Sequence, residues 1–519
     1  MQLRDVSLDD KYADIDKPCL ISGPQALVRL LIAQRRRDAA AGLNTAGFVS
    51  GYRGSPLGYV DQTLWEAEKW LKENQIVFQP GINEDLAATA IWGTQQLALA
   101  EDATVDGVFA IWYGKGPGVD RSGDPLKHGN LTGSHPSGGV LVLLGDDHAG
   151  KSSTTAHHSE QAMVAHQMPV IYPANVGEIV RFGLLGWGLS RYAGCWTAFK
   201  CVNESIEQTA TVAGEEAFPI VTPPYGELPP EGVHYRGVYA PARDEIIHKR
   251  WRVPLMRRFW RANRGDRPEF GTAQPKLGLV TAGKAYGDTM HALRHLGIDA
   301  ARAAQMGLDV YKVGMIWPLE PEGLREFAQG CAELFFIEEK SAFMEPQAAS
   351  LFYNDAQRPR ILGKNGEDGA VLLPSDVPLD AVAVALAIAA RLARNGMADP
   401  DIAQRAAALE SMRGLLAPVG DASPRRIPFF CSGCPHNTST NLPEGSLAIA
   451  GIGCHGMAMW AKGPSTLLGT HMGGEGATWT ALQHFTSRRH MFQNIGDGTY
   501  YPSGLLAIRQ AVAARANIT

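Results

Sequence analysis

Four groups of residues have types and spacings that could carry chemistry. Cys431 and Cys434 form C-x-x-C in FFCSGCPHN, and Cys454 follows in GIGCHG. A thiolate pair plus a third thiolate fits three corners of an iron–sulfur cluster, which takes four ligands. A zinc site completed by His436 or His455, or no metal at all, suits the same spacing. Further on, FQNIGDGTYYPS carries an apolar approach into Gly496-Asp497-Gly498, followed by a helical pattern over 504–514. A strand ending there in a glycine turn would present one carboxylate beside a helix N-terminus, an arrangement suited to a magnesium-bridged diphosphate. GDG alone is common in turns. HMGGEGAT, with Gly473 and Gly474, adds a second glycine-rich loop. Glu84, in QPGINEDLAATA, heads an apolar helix after a Pro-Gly turn. The helix dipole alone favours an acid in a first turn. A functional role would need a cofactor whose chemistry requires a buried carboxylic acid.

A fourth match is rejected as written. GDDHAGKS (145–152) fits the phosphate-loop pattern after a predicted strand. Asp146 and Asp147 would sit where backbone amides should cradle phosphates, and their charge would repel them. The continuation STTAHHSEQ starts a helix poorly. A polar substrate-side loop with His148, Lys151 and Ser152 as donors is the expectation, against a plain surface loop.

The elements that must position these groups are short apolar runs alternating with helical patterns. Strands are expected at Ala46–Ser50, Gly107–Trp112, Val140–Leu144, Pro169–Tyr172, Leu277–Thr281, Leu308–Val313 and Leu334–Glu338. Helices are expected at Gly23–Arg36, Glu84–Ala100, Ala285–Leu296 and Pro400–Leu416. That alternation implies parallel sheets in an α/β architecture. The basic stretch His248–Arg267 reads as a solvated linker or amphipathic helix, and Ser423–Pro428 marks a second boundary. Lys+Arg (48) nearly balance Asp+Glu (53) in 519 residues, which removes the electrostatic case for a nucleic-acid binder. The longest apolar run, near Ala381–Ala393, is shorter than the roughly 20 residues that span a bilayer. The charged N-terminus has no secretory core. Seven cysteines, an odd number, suit reduced thiols or metal ligands over a disulfide framework. The expectation is a cytoplasmic protein off the membrane, with Cys19, Cys195, Cys201 and Cys331 as buried apolar residues.

Taken together, GYRGSPLG (51–58), PGINEDLAATAIWGTQQ (80–96), WYGKGPGVDRSGDPLKH (112–128), GDDHAGKSS (145–153), FCSGCPHNTST (430–440), GIGCHGM (451–457), THMGGEG (470–476) and QNIGDGTYYPSGLLAIRQAV (493–512) resemble the long fused bacterial indolepyruvate ferredoxin oxidoreductases. These belong to the thiamine-diphosphate-dependent 2-oxoacid:ferredoxin oxidoreductases. The matches run from end to end of the chain in family order. The resemblance implies several parallel-sheet domains of the thiamine-diphosphate-binding type: a pyrimidine-binding domain over 1–265, a transketolase C-terminal-like domain over 266–400, and a diphosphate-binding domain over 401–519. It implies that Glu84 engages the aminopyrimidine ring, favouring the tautomer that deprotonates the thiazolium carbon. It implies that Asp497 binds Mg2+, with Gly473, Gly474, Gly496 and Gly498 around the diphosphate. Cys431, Cys434 and Cys454 would be three ligands of a [4Fe–4S] cluster. Arg53, Ser55 and His148 would face a 2-oxoacid, with CoA and ferredoxin as partners, although a turn role suits Arg53 equally. The implied reaction is oxidative decarboxylation of an aryl 2-oxoacid to an acyl-CoA. A non-oxidative decarboxylase or carboligase, or an inactive assembly partner, are the alternatives. A magnesium-binding asparagine and a fourth cluster cysteine are expected beyond residue 519. The chain is therefore expected to be a fragment or one half of a split enzyme, acting as a homo-oligomer or with a partner chain.

Overall fold

The computed structural model describes residues 7–150, 155–214, 217–238, 240–416 and 429–519. They fall into two compact units, Met1–Leu416 and Ala417–Thr519. The boundary expected at Ser423–Pro428 lies outside the described residues, as do Lys151 and Ser152.

The strands of the first unit, in chain order, are β1 (Cys19–Ser22), β2 (Thr45–Gly51), β3 (Ile76–Phe78), β4 (Gly107–Lys115), β5 (Val140–Asp146), β6 (Val170–Ile171), β7 (Trp196–Val202), β8 (Thr209–Val212), β9 (Arg267–Pro268), β10 (Leu277–Ala282), β11 (Leu308–Val313), β12 (Met315–Trp317), β13 (Glu333–Ile337) and β14 (Arg360–Leu362). Among the described residues they build a seven-stranded sheet, β12-β6-β7-β5-β4-β2-β3, and a five-stranded sheet, β14-β13-β10-β11-β9. β1 and β8 pair separately. Both large sheets are parallel except for one antiparallel edge strand each, β12 and β9. The expected α/β class with several parallel sheets is what the chain forms.

Alternation along the strands explains how the sheets stack. In β4, Phe109, Ile111 and Tyr113 enter one core while Ala110 and Trp112 enter another. In β13, Leu334 and Phe336 join that second core, and Phe335 and Ile337 enter a third. Successive side chains point to opposite faces of a strand, so the middle core lies between the two sheets. Strands buried on both faces read as continuous apolar runs, which is why VLVLL (140–144) and LFFIE (334–338) read as strands, the second observed one residue earlier at Glu333–Ile337. Each such aromatic ring contributes about 1.5–3 kcal/mol by leaving water.

One of the two readings of the basic stretch holds, and two other expectations need correction. Pro241–Ile247, His248–Arg252 and Val253–Ala262 run on as consecutive helical segments, so 248–262 is the amphipathic helix and not the solvated linker. Leu255, Met256, Phe259 and Trp260 are buried in the first core. Arg252, also buried, donates to the carbonyls of Val233 (2.8 Å), Asn130 (3.2 Å) and Leu131 (2.7 Å). A basic sequence hid this because a guanidinium can be buried when carbonyls satisfy its donors. Cys195, Cys201 and Cys331 are buried, but Cys19 is half-buried because it lies on the small two-stranded sheet. The helix from Glu84 stops at Thr94, short of Ala100.

The second unit contains β15 (Ala448–Ile449), β16 (Thr466–Leu467) and β17 (Phe492–Gln493), parallel in the order β16-β15-β17. Asp497–Thr499, Tyr500–Gly504 and Leu505–Ala513 follow β17 as consecutive helical segments. Among the described residues, no helix is long and apolar enough to cross a membrane.

Candidate active site

In the first unit, β3, β2, β4 and β5 are neighbouring parallel strands, so their carboxyl ends share one edge. Ligands of open parallel sheets bind beyond that edge. Arg53 and Ser55 follow β2, Glu84 follows β3, Gly118 and Arg121 follow β4, and His148 follows β5. Arg53 is exposed and Ser55 half-buried.

Glu84 is the most tightly held of these. The Gln79 and Gly81 N–H groups donate to Val49 (3.0 Å) and Gly51 (2.9 Å), which ties the loop to the end of β2. Asn83 caps the helix, its side chain accepting from the Leu86 N–H at 3.0 Å. The Trp112 indole donates to the Glu84 carbonyl at 2.9 Å. The Glu84 side chain is 5% exposed, with Arg121 Nη1 at 3.5 Å from Oε2. Gly118 packs against it so closely that a Cβ there would stand 2.6 Å from Glu84 Cγ and 2.8 Å from Oε1. A carboxyl group held this way can exchange a proton with a heterocyclic nitrogen brought to it. Arg121 and Gly118 carried no assigned role in the sequence. Their signal was a glycine-rich turn directly after a strand.

The next loop departs from a phosphate loop, as expected. Asp146 is buried and accepts from the Ser159 N–H (2.9 Å) and hydroxyl (2.6 Å), with Lys200 Nζ at 3.4 Å. Among the described residues, the next helix starts at Glu160. His148 is 4% exposed, and neither ring nitrogen has a hydrogen-bond partner among the described residues. Burial, and then the positive charges of Lys200 and Lys284, hold its pKa well below the ordinary histidine range. The ring is neutral and has one donor and one acceptor to offer. His158 Nε2 lies 3.4 Å from the hydroxyl of Ser341, so the loops after β5 and β13 meet here.

In the second unit the carboxyl ends of three parallel strands again gather the motifs. GIGCHG follows β15, THMGGEG follows β16, and GDG follows β17. A Cβ on Gly451 would collide with the Asn494 carbonyl at 2.4 Å, and one on Gly469 with the Ala450 carbonyl at 2.2 Å. Only glycines allow the three strand ends to converge so closely. Asp497 is exposed at the head of its helix and accepts from the Gly498 N–H at 2.8 Å. Gly473 adopts φ +92° and donates to Glu475 at 2.7 Å. Glu475 is 3% exposed, and its Oε1 and the Asn494 amide nitrogen are buried without partners among the described residues. A buried polar atom left unpaired is costly, so these orphans fit a polar group bound at this edge. Gly496 and Gly498 lie at the same turn.

Cys431 and Cys454 are exposed and Cys434 half-buried, all as free thiols. His436 Nδ1 lies 3.1 Å from Cys434 Sγ, and its ring meets that of His455 at 4.6 Å. The C-x-x-C segment and the turn carrying Cys454 are thus neighbours. Among the described residues, no three His, Cys, Asp or Glu side chains are gathered as a metal site.

Residues 267–415 match the family model for the indolepyruvate oxidoreductase domain. Across 98% of its length the chain is 23% identical to indolepyruvate oxidoreductase subunit IorA of Pyrococcus abyssi, spanning 75% of that protein. The match to the same subunit of Thermococcus kodakarensis is equally extensive, also at 23% identity over 98% of the chain and 75% of the relative. Among solved structures, a 2-oxoglutarate:ferredoxin oxidoreductase from Magnetococcus marinus, with 2-oxoglutarate, coenzyme A and succinyl-CoA bound, superposes with TM-score 0.52 at 14% identity. That alignment covers 73% of this chain and 65% of the other, and it establishes a shared fold. Similarity to indolepyruvate oxidoreductase subunits therefore runs along nearly the whole chain.

Proposed function

We propose that this chain carries thiamine-diphosphate-binding residues of an oxidoreductase that oxidatively decarboxylates a 2-oxoacid. Its substrate is an aryl 2-oxoacid of the indolepyruvate kind, its acyl acceptor CoA, and its electron acceptor ferredoxin. The observation that carries this reading is the Glu84 carboxyl group, buried at the carboxyl edge of a parallel sheet and packed directly against Gly118. Relatives named as indolepyruvate oxidoreductases support the reaction class.

Each residue then has a definite task. Thiamine diphosphate, when bound, supplies the nucleophilic carbon and the electron sink that decarboxylation of a 2-oxoacid requires. Glu84 holds a proton at its carboxyl oxygen, shared with the aminopyrimidine nitrogen. Gly118 and the Asn83 cap fix where that oxygen lies. Arg53 and Ser55 bind the substrate carboxylate, and neutral His148 presents a ring nitrogen to its oxo group. Asp497 would hold Mg2+, and the backbone of Gly473, Gly474, Gly496 and Gly498 would let phosphate oxygens approach closely. Cys431, Cys434 and Cys454 would supply three of the four ligands of a [4Fe–4S] cluster, the kind of group that passes electrons singly to ferredoxin. Seven free thiols suit a reducing compartment such as the cytoplasm.

The test is anaerobic purification of the full chain with whatever subunit accompanies it. Thiamine diphosphate should bind, and indolepyruvate with CoA should reduce ferredoxin. Glu84→Gln should slow exchange of the coenzyme's C2 proton roughly 100-fold or more, the scale of one positioned acid–base group. Unchanged exchange in that variant would remove Glu84 from its role. A preparation that is free of iron yet decarboxylates would point to the non-oxidative alternative.

A further inference from the structure

A cleft of about 870 Å³ opens beside β9, at the edge of the five-stranded sheet, and shares no lining residue with the candidate active site. Its size falls within the range of cofactor and nucleotide pockets, roughly 300–1,000 Å³. Tyr311 and Phe327, with ring centroids 4.9 Å apart, lie along its wall, and four arginines line it.

The charge balance inside the cleft is uneven once partners are assigned. Arg261 is neutralised by Glu320 (3.3 Å), Glu322 (3.1 Å) and Glu326 (2.5 Å). Asp309 is engaged by the N–H groups of Phe270 (2.9 Å) and Thr272 (2.8 Å). Asp266 is engaged by the Trp260 indole and the Gly314 N–H, both at 2.7 Å. Three guanidiniums are left without a hydrogen-bonded anion. Arg267 stands 3.6 Å from Glu269 and 3.8 Å from Glu178, beyond hydrogen-bond reach, and its Nη1 is buried with no partner among the described residues. Glu178 is already taken by Lys312 and the Ala174 N–H. Arg181 donates to the Arg264 carbonyl at 3.3 Å, and burial followed by repulsion from Arg267 pulls its pKa down. Arg264 is exposed and held at φ +47°, a left-handed conformation that side-chain-bearing residues rarely adopt. Arginines packed together whose nearest carboxylates are not hydrogen-bonded to them can take a further anion, and guanidinium forks match phosphate oxygens.

We propose that this cleft binds a nucleotide polyphosphate, with its phosphates on Arg181, Arg264 and Arg267 and its base on the Tyr311–Phe327 wall. A free nucleoside triphosphate and the nucleotide end of CoA share this chemistry. The proposal goes beyond the reaction above and does not depend on it.

The experiment is calorimetric titration of the full chain with ATP, CoA and inorganic diphosphate at low salt, with hydrogen exchange followed across residues 264–276. ATP or CoA should bind and protect that segment. The double variant Arg264→Ala/Arg267→Ala should weaken binding at least tenfold, while Arg405→Ala, on a distant helix, should leave it unchanged. Preference for CoA identifies the acyl acceptor as the source, and preference for ATP identifies a free nucleotide. Failure of both to bind, unweakened binding by the double variant, or inorganic diphosphate binding as tightly as either would overturn the proposal. The exchange readout on the unmodified chain keeps the test decisive if the double variant misfolds.

Discussion

Replacing Gly118 by alanine should separate the chemistry of Glu84 from the stability of the fold. The new Cβ would meet Glu84 Cγ at 2.6 Å, whereas ordinary contact begins at 3.4 Å, so the acidic side chain must retreat by about 0.8 Å. Gly118 lies in the helix Gly116–Arg121, where alanine gains up to about 1 kcal/mol over glycine. Overpacking costs roughly 1–3 kcal/mol. The net cost is about 0–2 kcal/mol, so the melting temperature should fall by a few degrees at most. A reacting group misplaced by about 1 Å loses on the order of 100-fold in rate. Gly118→Ala should therefore fold as the unmodified chain does, while exchange of the thiamine C2 proton and anaerobic turnover of indolepyruvate fall about 100-fold. Gly93→Ala, in the helix that Glu84 heads and with no atom within 4 Å of its new Cβ, is the matched control. It should gain a little stability and keep full exchange. Normal exchange in Gly118→Ala, with its fold intact, would refute the claim that the pinned position of Glu84 matters.

Other consequences are as direct. Arg252→Ala strips several buried carbonyls of their donor, each costing about 1–3 kcal/mol, and urea unfolding should show a loss of at least roughly 3 kcal/mol. Burial, then Arg252, lowers the His248 pKa to about 3. With an ordinary unfolded value near 6.5, its contribution is fully present above about pH 6.5 and is lost as pH falls towards 3. His248→Leu should flatten the acid limb of a melting-temperature profile over that window, and an unchanged limb would dismiss the residue. Phe336→Ala, between the two sheets, should cost about 3–5 kcal/mol in thermal or urea unfolding. Cys454→Ala in anaerobically purified protein should lower iron content and the broad absorbance near 400 nm, and full retention of both would take this cysteine out of the cluster.

Much of the chain declared itself locally. Runs such as VLVLL and ELFFI are strands because both of their faces are buried, so the sequence needs no alternation to decode. The capped start at Asn83 and the glycine turns around Asp497 are equally local, because caps and left-handed or crowded backbone positions restrict residue type directly. Composition and motif order also sufficed for the α/β class and the family resemblance.

Other features depend on contacts between residues distant in sequence. His248–Arg252 reads equally as a solvated linker or an amphipathic helix until carbonyls from Asn130, Leu131 and Val233 close around one guanidinium. His148 looks like an available donor in its loop, yet burial first, and then the charges of Lys200 and Lys284 from other elements of the chain, hold its pKa well below the ordinary range. Gly118 and Glu84 belong to different loops and meet only because β3, β2 and β4 end at a common edge. Residue type and spacing determined which groups could do chemistry. Which of them are buried, neutral, crowded or left without a counter-charge was decided by three-dimensional packing, because desolvation and Coulomb energies depend on neighbours in space and not on neighbours in sequence.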